Sequence, residues 1–139
     1  MKIVIIDGQN GRLGSQLIEG LRAASLAAEH TLVAVGTNAL ATASMLKAGA
    51  EQGATGENPV LVACRDANII AGPIGIVLAD ALLGEITPAM AAAVGQSRAV
   101  KVLLPVSRCS CLIPGLAPLN RTQLVEAAVK QILTLCGQA

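Results

Sequence analysis

Residues 3–14 constrain the fold more than any other part of this chain, because they join an apolar run to a turn of regularly spaced glycines. The run at 3–6, Ile-Val-Ile-Ile, is typical of a strand buried on both faces. Gly8, Gly11 and Gly14 then follow at a Gly-x-x-Gly-x-x-Gly spacing, and apolar residues recur at helical intervals beyond them. A strand, a glycine turn and a helix in this order predict the first unit of a parallel α/β sheet.

We predict that this turn binds the phosphate of a ligand. The residues concerned are Gly8, Gln9, Asn10, Gly11, Arg12, Leu13 and Gly14. The first glycine allows a tight turn off the strand, the second lets the backbone approach the ligand, and the third lets the helix pack closely. Amide groups at the helix start then point at an anion, which the helix dipole favours. The alternative interpretation is that the glycines only shape the turn.

The composition indicates one domain, spanning residues 1–139, that buries part of its surface in an assembly. Hydrophobic residues make up 53% of the 139 residues and charged residues 14%, against an average of about 25% charged. The chain has no Phe, Tyr or Trp, so its core must pack through small aliphatic side chains. We therefore expect a homo-oligomer, with a twofold dimer as the favoured form.

Neither a membrane nor a nucleic acid is an expected partner. The longest apolar window, residues 69–83, is interrupted by Pro73 and Asp80, and a spanning helix needs roughly 20 mostly apolar residues. The sequence starts directly with a predicted strand, which favours a cytoplasmic, bacterial-type protein without a signal peptide. The net charge is +1 with scattered basic residues, and no aromatic ring is present for base stacking.

Strands and helices are predicted to alternate along the chain. The predicted strands are 3–6, 31–36, 60–64, 68–71 and 100–104, and the predicted helices are 12–24, 39–48, 74–83, 88–94 and a last one from Asn120 or Thr122 to 135. Residues 53–59 are predicted to form a loop. The three residues between strands 60–64 and 68–71 are too few for a parallel crossover, so one of the two is antiparallel or is not a strand. This alternation predicts a Rossmann-like α/β three-layer sandwich, with a mostly parallel sheet of four or five strands and helices on both faces.

Ligands of open α/β sheets bind beyond the carboxyl ends of the strands. That rule adds further cofactor-binding candidates: Thr37, Asn38, Gly72, Pro73 and Arg108. Arg65 also follows a predicted strand, and a guanidinium can hold a phosphate or carboxylate through two hydrogen bonds. The alternative for Arg65 is a surface charge paired with Asp66.

An NADP-like cofactor is the favoured ligand of the predicted site. An NAD site usually has an acidic residue at the end of the second strand to bind the ribose hydroxyl. Residues 36–38 are Gly-Thr-Asn and contain no acid, whereas Arg12 could reach the 2′-phosphate of NADP. A smaller nucleotide or a phosphorylated metabolite remains an open alternative.

The sequence offers two catalytic candidates, Glu85 and Cys109. Glu85 lies between two predicted apolar helices, where burial could raise its pKa and suit it to acid–base chemistry. Cys109 is a candidate reactive thiol, and with Cys111 and Cys64 it could bind a soft metal. We predict no metal, because these cysteines lack the Cys-x-x-Cys spacing. His30, the only histidine, precedes the second strand, so we expect it on the surface at the opposite end of the sheet.

The first 35 or so residues resemble the nucleotide-binding start of dihydrodipicolinate reductase. That enzyme shows a Gly-x-x-Gly-Arg-x-Gly turn, matched here by Gly8, Gly11, Arg12 and Gly14. The short-chain and NmrA-like Rossmann proteins share a looser form. The resemblance implies a cofactor site and not the reductase activity, because the paired catalytic histidines of the enzyme have no counterpart. An NADP-dependent oxidoreductase is therefore a hypothesis only.

The whole chain is similar to a small bacterial family of unknown function. The similarity lies in GTNALAT at 36–42, GATGEN at 53–58, GPIGI at 72–76 and GEITPAM at 84–90. It implies the fold and leaves the activity open. A non-enzymatic oligomeric sensor or scaffold with a vestigial glycine turn is therefore the alternative, with helices 74–83 and 88–94 as its subunit interface.

Overall fold

The computed structural model describes residues 1–106 and 111–137. In this part the chain forms one sheet with the strand order β3-β2-β1-β4-β5. The strands are β1 (Lys2–Asp7), β2 (Thr31–Gly36), β3 (Gln52–Thr55), β4 (Ile69–Pro73) and β5 (Val100–Leu104). Every neighbouring pair is parallel. The predicted α/β class with a mostly parallel sheet is therefore confirmed.

Helices cover both faces of this sheet. They are α1 (Arg12–Ala23), α2 (Ala39–Lys47), α3 (Glu57–Ala63), α4 (Pro88–Gln96) and α5 (Arg121–Leu135), with 3₁₀ helices at Leu26–Ala28 and Ile74–Val77. Alternate side chains of β1 point to opposite faces. Ile3 and Ile5 pack in one core cluster with buried residues of α1, α2 and α5, whereas Val4 and Ile6 pack in a second cluster with α3 and α4. The three-layer arrangement follows from these two cores. No helix in the described ranges is long and apolar enough to cross a membrane.

The segment 53–64 folds differently from its prediction. The predicted loop at 53–59 contains most of β3, and the predicted strand at 60–64 is the second half of α3. All four residues of β3 are exposed, so its sequence has no apolar pattern that would predict a strand. This edge strand forms through backbone pairing with β2. In α3, Val60 and Ala63 are buried whereas Val62 is 44% exposed, which is helical spacing. A short apolar run does not distinguish a buried strand from a helix.

The helical conformation of residues 60–63 also explains how so few residues can separate them from β4. Because 60–64 is helical, α3 is the crossover between β3 and β4, and the antiparallel alternative is wrong. The predicted helix 74–83 is wrong as well, since only Ile74–Val77 is helical and it forms a single 3₁₀ turn. Beyond it the backbone enters the left-handed region at Asp80, Leu82, Leu83 and Gly84, which ends any helix.

The strand order reverses between β1 and β4. The chain first builds β2 and β3 on one side of β1, and then crosses to build β4 and β5 on the other. In open α/β sheets the crevice for a ligand lies at such a reversal, beyond the carboxyl ends of the strands. Since each helix returns from the carboxyl end of the preceding strand, α1, α2 and α5 all begin at this end of the sheet.

Candidate functional site

A cavity of about 120 Å³ lies where the strand order reverses. Its lining comes from the end of β1, the glycine turn, the end of β4 and three later residues: Asp7, Gly8, Gln9, Asn10, Arg12, Leu13, Pro73, Leu82, Val106 and Arg121. A bound water needs roughly 10–15 Å³, so the cavity has room for a group the size of a phosphate. Five residues of the predicted turn and the predicted Pro73 therefore meet at one cavity.

Backbone amides of the turn are only partly occupied by internal hydrogen bonds. The amides of Gly8 and Gly14 each donate to a carboxylate oxygen of Asp7 at 2.8 Å. The amide of Arg12 donates to Oδ1 of Asn10 at 3.1 Å. Within the described residues, the amides of Asn10 and Leu13 have no hydrogen-bond acceptor. The turn and the first residues of α1 therefore keep two open donors beside the cavity, one from Asn10 and one from Leu13, as an anion site requires.

The three glycines of the turn also have packing reasons of their own. Gly11 has φ +69°, and a Cβ there would lie 2.7 Å from the carbonyl oxygen of Ala41 in α2. A Cβ on Gly14 would lie 2.5 Å from Sδ of Met45, and one on Gly8 would lie 2.6 Å from Oγ1 of Thr37. The spacing of the glycines thus lets the turn and α1 pack against α2 and the end of β2, whether or not a ligand binds.

Two arginines stand at helix starts around the cavity. Arg12 and Arg121 are the first residues of α1 and α5, and neither helix has an acidic residue in its first turn. A cation at this end of a helix opposes the helix dipole. Within the described residues neither guanidinium takes part in a salt bridge. These positions favour an anion between the two arginines.

Arg65 and Arg98 show the opposite arrangement. They follow the last residues of α3 and α4 and line a separate cavity at the amino end of the sheet. Cations near helix C-termini are stabilised by the dipole without any ligand. Arg65 was predicted at the ligand end of the sheet because 60–64 was taken for a strand, and that prediction is wrong. Asp66 pairs with Lys2 and not with Arg65.

Asp7 holds the glycine turn in place by accepting hydrogen bonds from its amides. It is 5% exposed at the end of β1. The pKa of Asp7 is raised above its ordinary value, mainly by burial and also by the nearby Glu85 carboxylate. The hydrogen bonds from the amides of Gly14 and Gly8 and the charge of Arg121 act in the opposite direction but do not outweigh burial. Because each carboxylate oxygen of Asp7 accepts a hydrogen bond from an amide of the turn, Asp7 fixes the geometry of the turn.

Glu85 reaches across the turn from the segment between β4 and α4. Both of its carboxylate oxygens lie 3.1 Å from the amide of Gln9. Its Oε1 also accepts hydrogen bonds from Oγ1 of Thr37 at 2.9 Å and from Nδ2 of Asn38 at 2.5 Å. Thr37 and Asn38, predicted to contact a ligand, therefore position this carboxylate. Burial would raise the pKa of Glu85, but the hydrogen bonds from Asn38, Gln9 and Thr37 outweigh it and the pKa is lowered. The expectation of a raised pKa is wrong.

Backbone strain is concentrated in the segment that carries Glu85. Asp80, Leu82 and Leu83 have φ values of +66°, +56° and +56°, and this left-handed conformation costs about 1–2 kcal/mol per non-glycine residue. Backbone hydrogen bonds from Asp80 to Ile86 (2.7 Å) and from Ile86 to Ala81 (3.1 Å) hold the segment closed. Leu82 from this segment covers one wall of the cavity. Such strain is found mostly at functional sites.

The remaining predicted residues are placed elsewhere or fall outside the described part. Gly72 is buried in β4, where a Cβ would collide with the carbonyl oxygen of Ile6, so it serves strand packing. Arg108 and Cys109 lie outside the described residues. His30 is half-buried beside the amino group of Met1, at the end of the sheet away from the cavity as predicted.

The alternative of a metal site formed by Cys64, Cys109 and Cys111 would require Cys64 at the carboxyl end of the sheet, and Cys64 does not lie there. That residue is buried at the end of α3, at the amino end of the sheet, because the preceding residues are helical. Cys111 is exposed in the segment that leads to α5. Across 1–106 and 111–137, no group of three or more His, Cys, Asp or Glu side chains could hold a metal ion.

The positions of Arg121 and Leu82 in the lining of the cavity were not predicted from the sequence. Nor was the role of Asp7, which holds the glycine turn through hydrogen bonds. A topological signal for Arg121 was present in the sequence. Since α5 follows a parallel strand, its first residue must lie at the carboxyl end of the sheet, as does the first residue of α1. Leu82 had no such signal, because its place depends on a strained turn that was predicted to be helical.

Comparison with known proteins identifies a family. Neither a curated protein nor a solved structure matches the chain significantly. One family model matches residues 2–137, and its description is "Domain of unknown function (DUF3842)". The match extends over nearly the whole chain, including the glycine turn and all strands and helices of residues 1–106 and 111–137. The chain therefore belongs to the DUF3842 family.

Proposed function

We propose that this protein binds a nucleotide or another phosphate-bearing ligand at the turn Gly8–Gly14. The observation that carries the proposal is the pair of arginines, Arg12 and Arg121, at the starts of two helices that meet at one cavity. The cavity is anion-sized and lies at the reversal of strand order. A buried anion there would satisfy both the helix dipoles and the guanidinium groups.

The described groups allow a specific binding arrangement. A phosphate in the cavity would accept hydrogen bonds from the amides of Leu13 and Asn10, which are open in the described part of the chain. Arg12 and Arg121 would bind the remaining oxygens through their planar donor groups. NADP, favoured from the sequence, belongs to this ligand class, and so do smaller nucleotides and phosphorylated metabolites. An oxidoreductase reaction remains a prediction.

A scaffold or sensor is the second candidate, and one observation favours it. The glycines are required for packing against Thr37, Ala41 and Met45, and the amide of Gln9 is bonded to Glu85. In this case the turn would be retained for internal packing and the cavity would bind nothing.

Thermal-shift measurements with NADP, NAD, FMN and mononucleotides separate the two candidates. The absence of aromatic residues requires a dye or circular dichroism as the readout. Free ligand at 100 times its dissociation constant adds about 2.7 kcal/mol to the free energy of unfolding. We expect a shift with at least one ligand, and we expect Arg12→Ala and Arg121→Ala each to weaken its binding.

Arg65→Ala is the matched control, because it removes the same charge at the other end of the sheet. Gly11→Asp is a poor test, since a side chain at Gly11 collides with Ala41 and disturbs the fold itself. No shift with any ligand, or equal loss of binding in Arg65→Ala and Arg121→Ala, would favour the scaffold.

A further inference from the structure

The fold brings the carboxylate of Glu85 to the end of β2, although residues 36–38 at that end include no acidic residue. Oε1 of Glu85 lies 2.9 Å from Oγ1 of Thr37 and 2.5 Å from Nδ2 of Asn38, the two residues that directly follow β2. In dinucleotide-binding α/β folds, a carboxylate at this place accepts hydrogen bonds from ribose hydroxyl groups. Here the carboxylate comes from the segment before α4, 48 residues away from Thr37 in the chain.

We propose that Glu85 binds the free 2′-hydroxyl group of a ribose, so that the ligand is a nucleotide without a 2′-phosphate. This inference rests on the proposed function, whose ligand class it narrows. It reverses the preference for NADP that residues 36–38 alone would give.

Glu85 has acceptor capacity left for such a ribose. Its Oε1 accepts from Thr37, Asn38 and Gln9, whereas its Oε2 accepts only from the amide of Gln9 within the described residues. A carboxylate oxygen has two lone pairs, and the side chain is only half-buried. The open lone pair of Oε2 can therefore accept a hydroxyl hydrogen.

The arrangement around Gln9 matches the order of groups in a nucleotide. Gln9 contacts Glu85 through its amide and also lines the cavity with Arg12 and Arg121. A ribose at Glu85 and a phosphate in the cavity would therefore be separated by one residue of the turn. The two arginines lie on the phosphate side, because both line the cavity and Glu85 does not.

Charge excludes a phosphate from the ribose 2′ position. Hydrogen bonds from Asn38, Gln9 and Thr37 outweigh burial and lower the pKa of Glu85, so its carboxylate is ionised at neutral pH. A 2′-phosphate would bring about two further negative charges against it. The like-charge contact would act against NADP and leave NAD unaffected.

Isothermal titration of the full chain with NAD and NADP tests this inference, because the two probes differ only in the 2′-phosphate. We expect NAD to bind at least 10 times more tightly than NADP. In Glu85→Gln we expect this ratio to fall below about 3, mainly through tighter binding of NADP. Glu19→Gln, which removes an exposed acid of α1, should leave the ratio unchanged. Circular dichroism checks that each variant is folded.

The outcomes separate the inference from the proposed function. Binding of NADP as tightly as NAD overturns the inference and leaves the proposed function intact, and an unchanged ratio in Glu85→Gln does the same. If neither dinucleotide binds but inorganic pyrophosphate does, and Arg121→Ala weakens it, the phosphate site stands and the ribose site falls. If no probe binds, both fall. The wild-type ratio is decisive even if Glu85→Gln does not fold.

Discussion

Gly11 is the residue at which backbone conformation and packing together exclude a side chain. Its φ of +69° is left-handed, and a Cβ would lie 2.8 Å from Cα of Ala41. The neighbouring atoms belong to the backbone of α2, which cannot move aside as the end of a long side chain can. A different constraint acts at Glu85, whose carboxylate joins the glycine turn and the two residues after β2 to the segment before α4 through four hydrogen bonds.

Gly11→Ala should destabilise the fold even without a ligand. The left-handed conformation costs an alanine about 1–3 kcal/mol, and overpacking against α2 adds roughly 1–3 kcal/mol. Urea unfolding followed by circular dichroism measures the sum. Gly95→Ala is the control, because Gly95 lies in α4 with nothing within 4 Å of a Cβ, and the change should stabilise α4 by up to about 1 kcal/mol. Equal stability of the two variants would contradict the packing role of Gly11.

Glu85 should make stability depend on acid pH. Its folded-state pKa is below the ordinary value of 4.5, so it contributes stability above 4.5 that is lost as the pH falls through the folded pKa. Wild type should therefore lose more stability than Glu85→Gln between neutral pH and the region below 4.5. Asp7, whose pKa is raised from 3.8, contributes with the opposite sign in both proteins. Parallel pH curves of the midpoint urea concentration for the two proteins would refute this role.

At the scale of elements, the caps of the helices connect stability to the site. Asn120 accepts a hydrogen bond from the amide of Gln123 at 2.9 Å, and Gln123 accepts one from the amide of Asn120 at 3.0 Å. This capping box fixes the first turn of α5 and therefore the base of Arg121. At the start of α4, Oγ1 of Thr87 accepts a single capping hydrogen bond from the amide of Met90 at 3.1 Å and donates to Glu57 of α3 at 2.6 Å.

Asn120→Ala should cost about 1 kcal/mol of stability through the lost cap. Because the change frays the turn that carries Arg121, binding of the phosphate-bearing ligand should weaken in addition. Thermal unfolding and titration on the same sample measure both effects. Asn120→Ser keeps a capping oxygen and should restore both. Unchanged affinity in a destabilised Asn120→Ala protein would show that the cap does not position Arg121.

At the scale of the whole molecule, the sheet has an uncovered apolar margin at β5. Val100 is 49% exposed on this strand and Leu135 is 39% exposed on α5. They line a groove of about 550 Å³ together with Val102 and Ala127. In the described part of the chain, β5 pairs only with β4. A second chain covering this margin would shield the unpaired backbone groups of β5 and this apolar surface from water.

The twofold dimer expected from the composition stays a prediction, and β5 is the surface on which to test it. Sedimentation velocity should give twice the mass of the chain, and Val100→Lys should shift the mass to that of a monomer. Leu40→Lys is the control, because Leu40 is 63% exposed on α2, away from β5. A monomeric wild type, or a dimer unaffected by Val100→Lys, would contradict this interface.

The sequence by itself determined the elements whose signals are local. The strand–turn–helix at β1 and α1, the start of the last helix at Asn120 or Thr122, and the apolar strands β2 and β5 all follow from spacing within a few residues. These features predicted the parallel α/β sheet and most of the turn that lines the cavity.

Only the tertiary structure decided the features that depend on distant contacts. Strand β3 exists because its backbone pairs with β2, although its own side chains are all exposed. Glu85 and Gln9, which are 76 residues apart, meet because β4 lies beside β1. Arg121 reaches the same cavity because α5 returns from β5. Propensity and periodicity describe a window of neighbouring residues, whereas these contacts are set by the order of strands in the sheet.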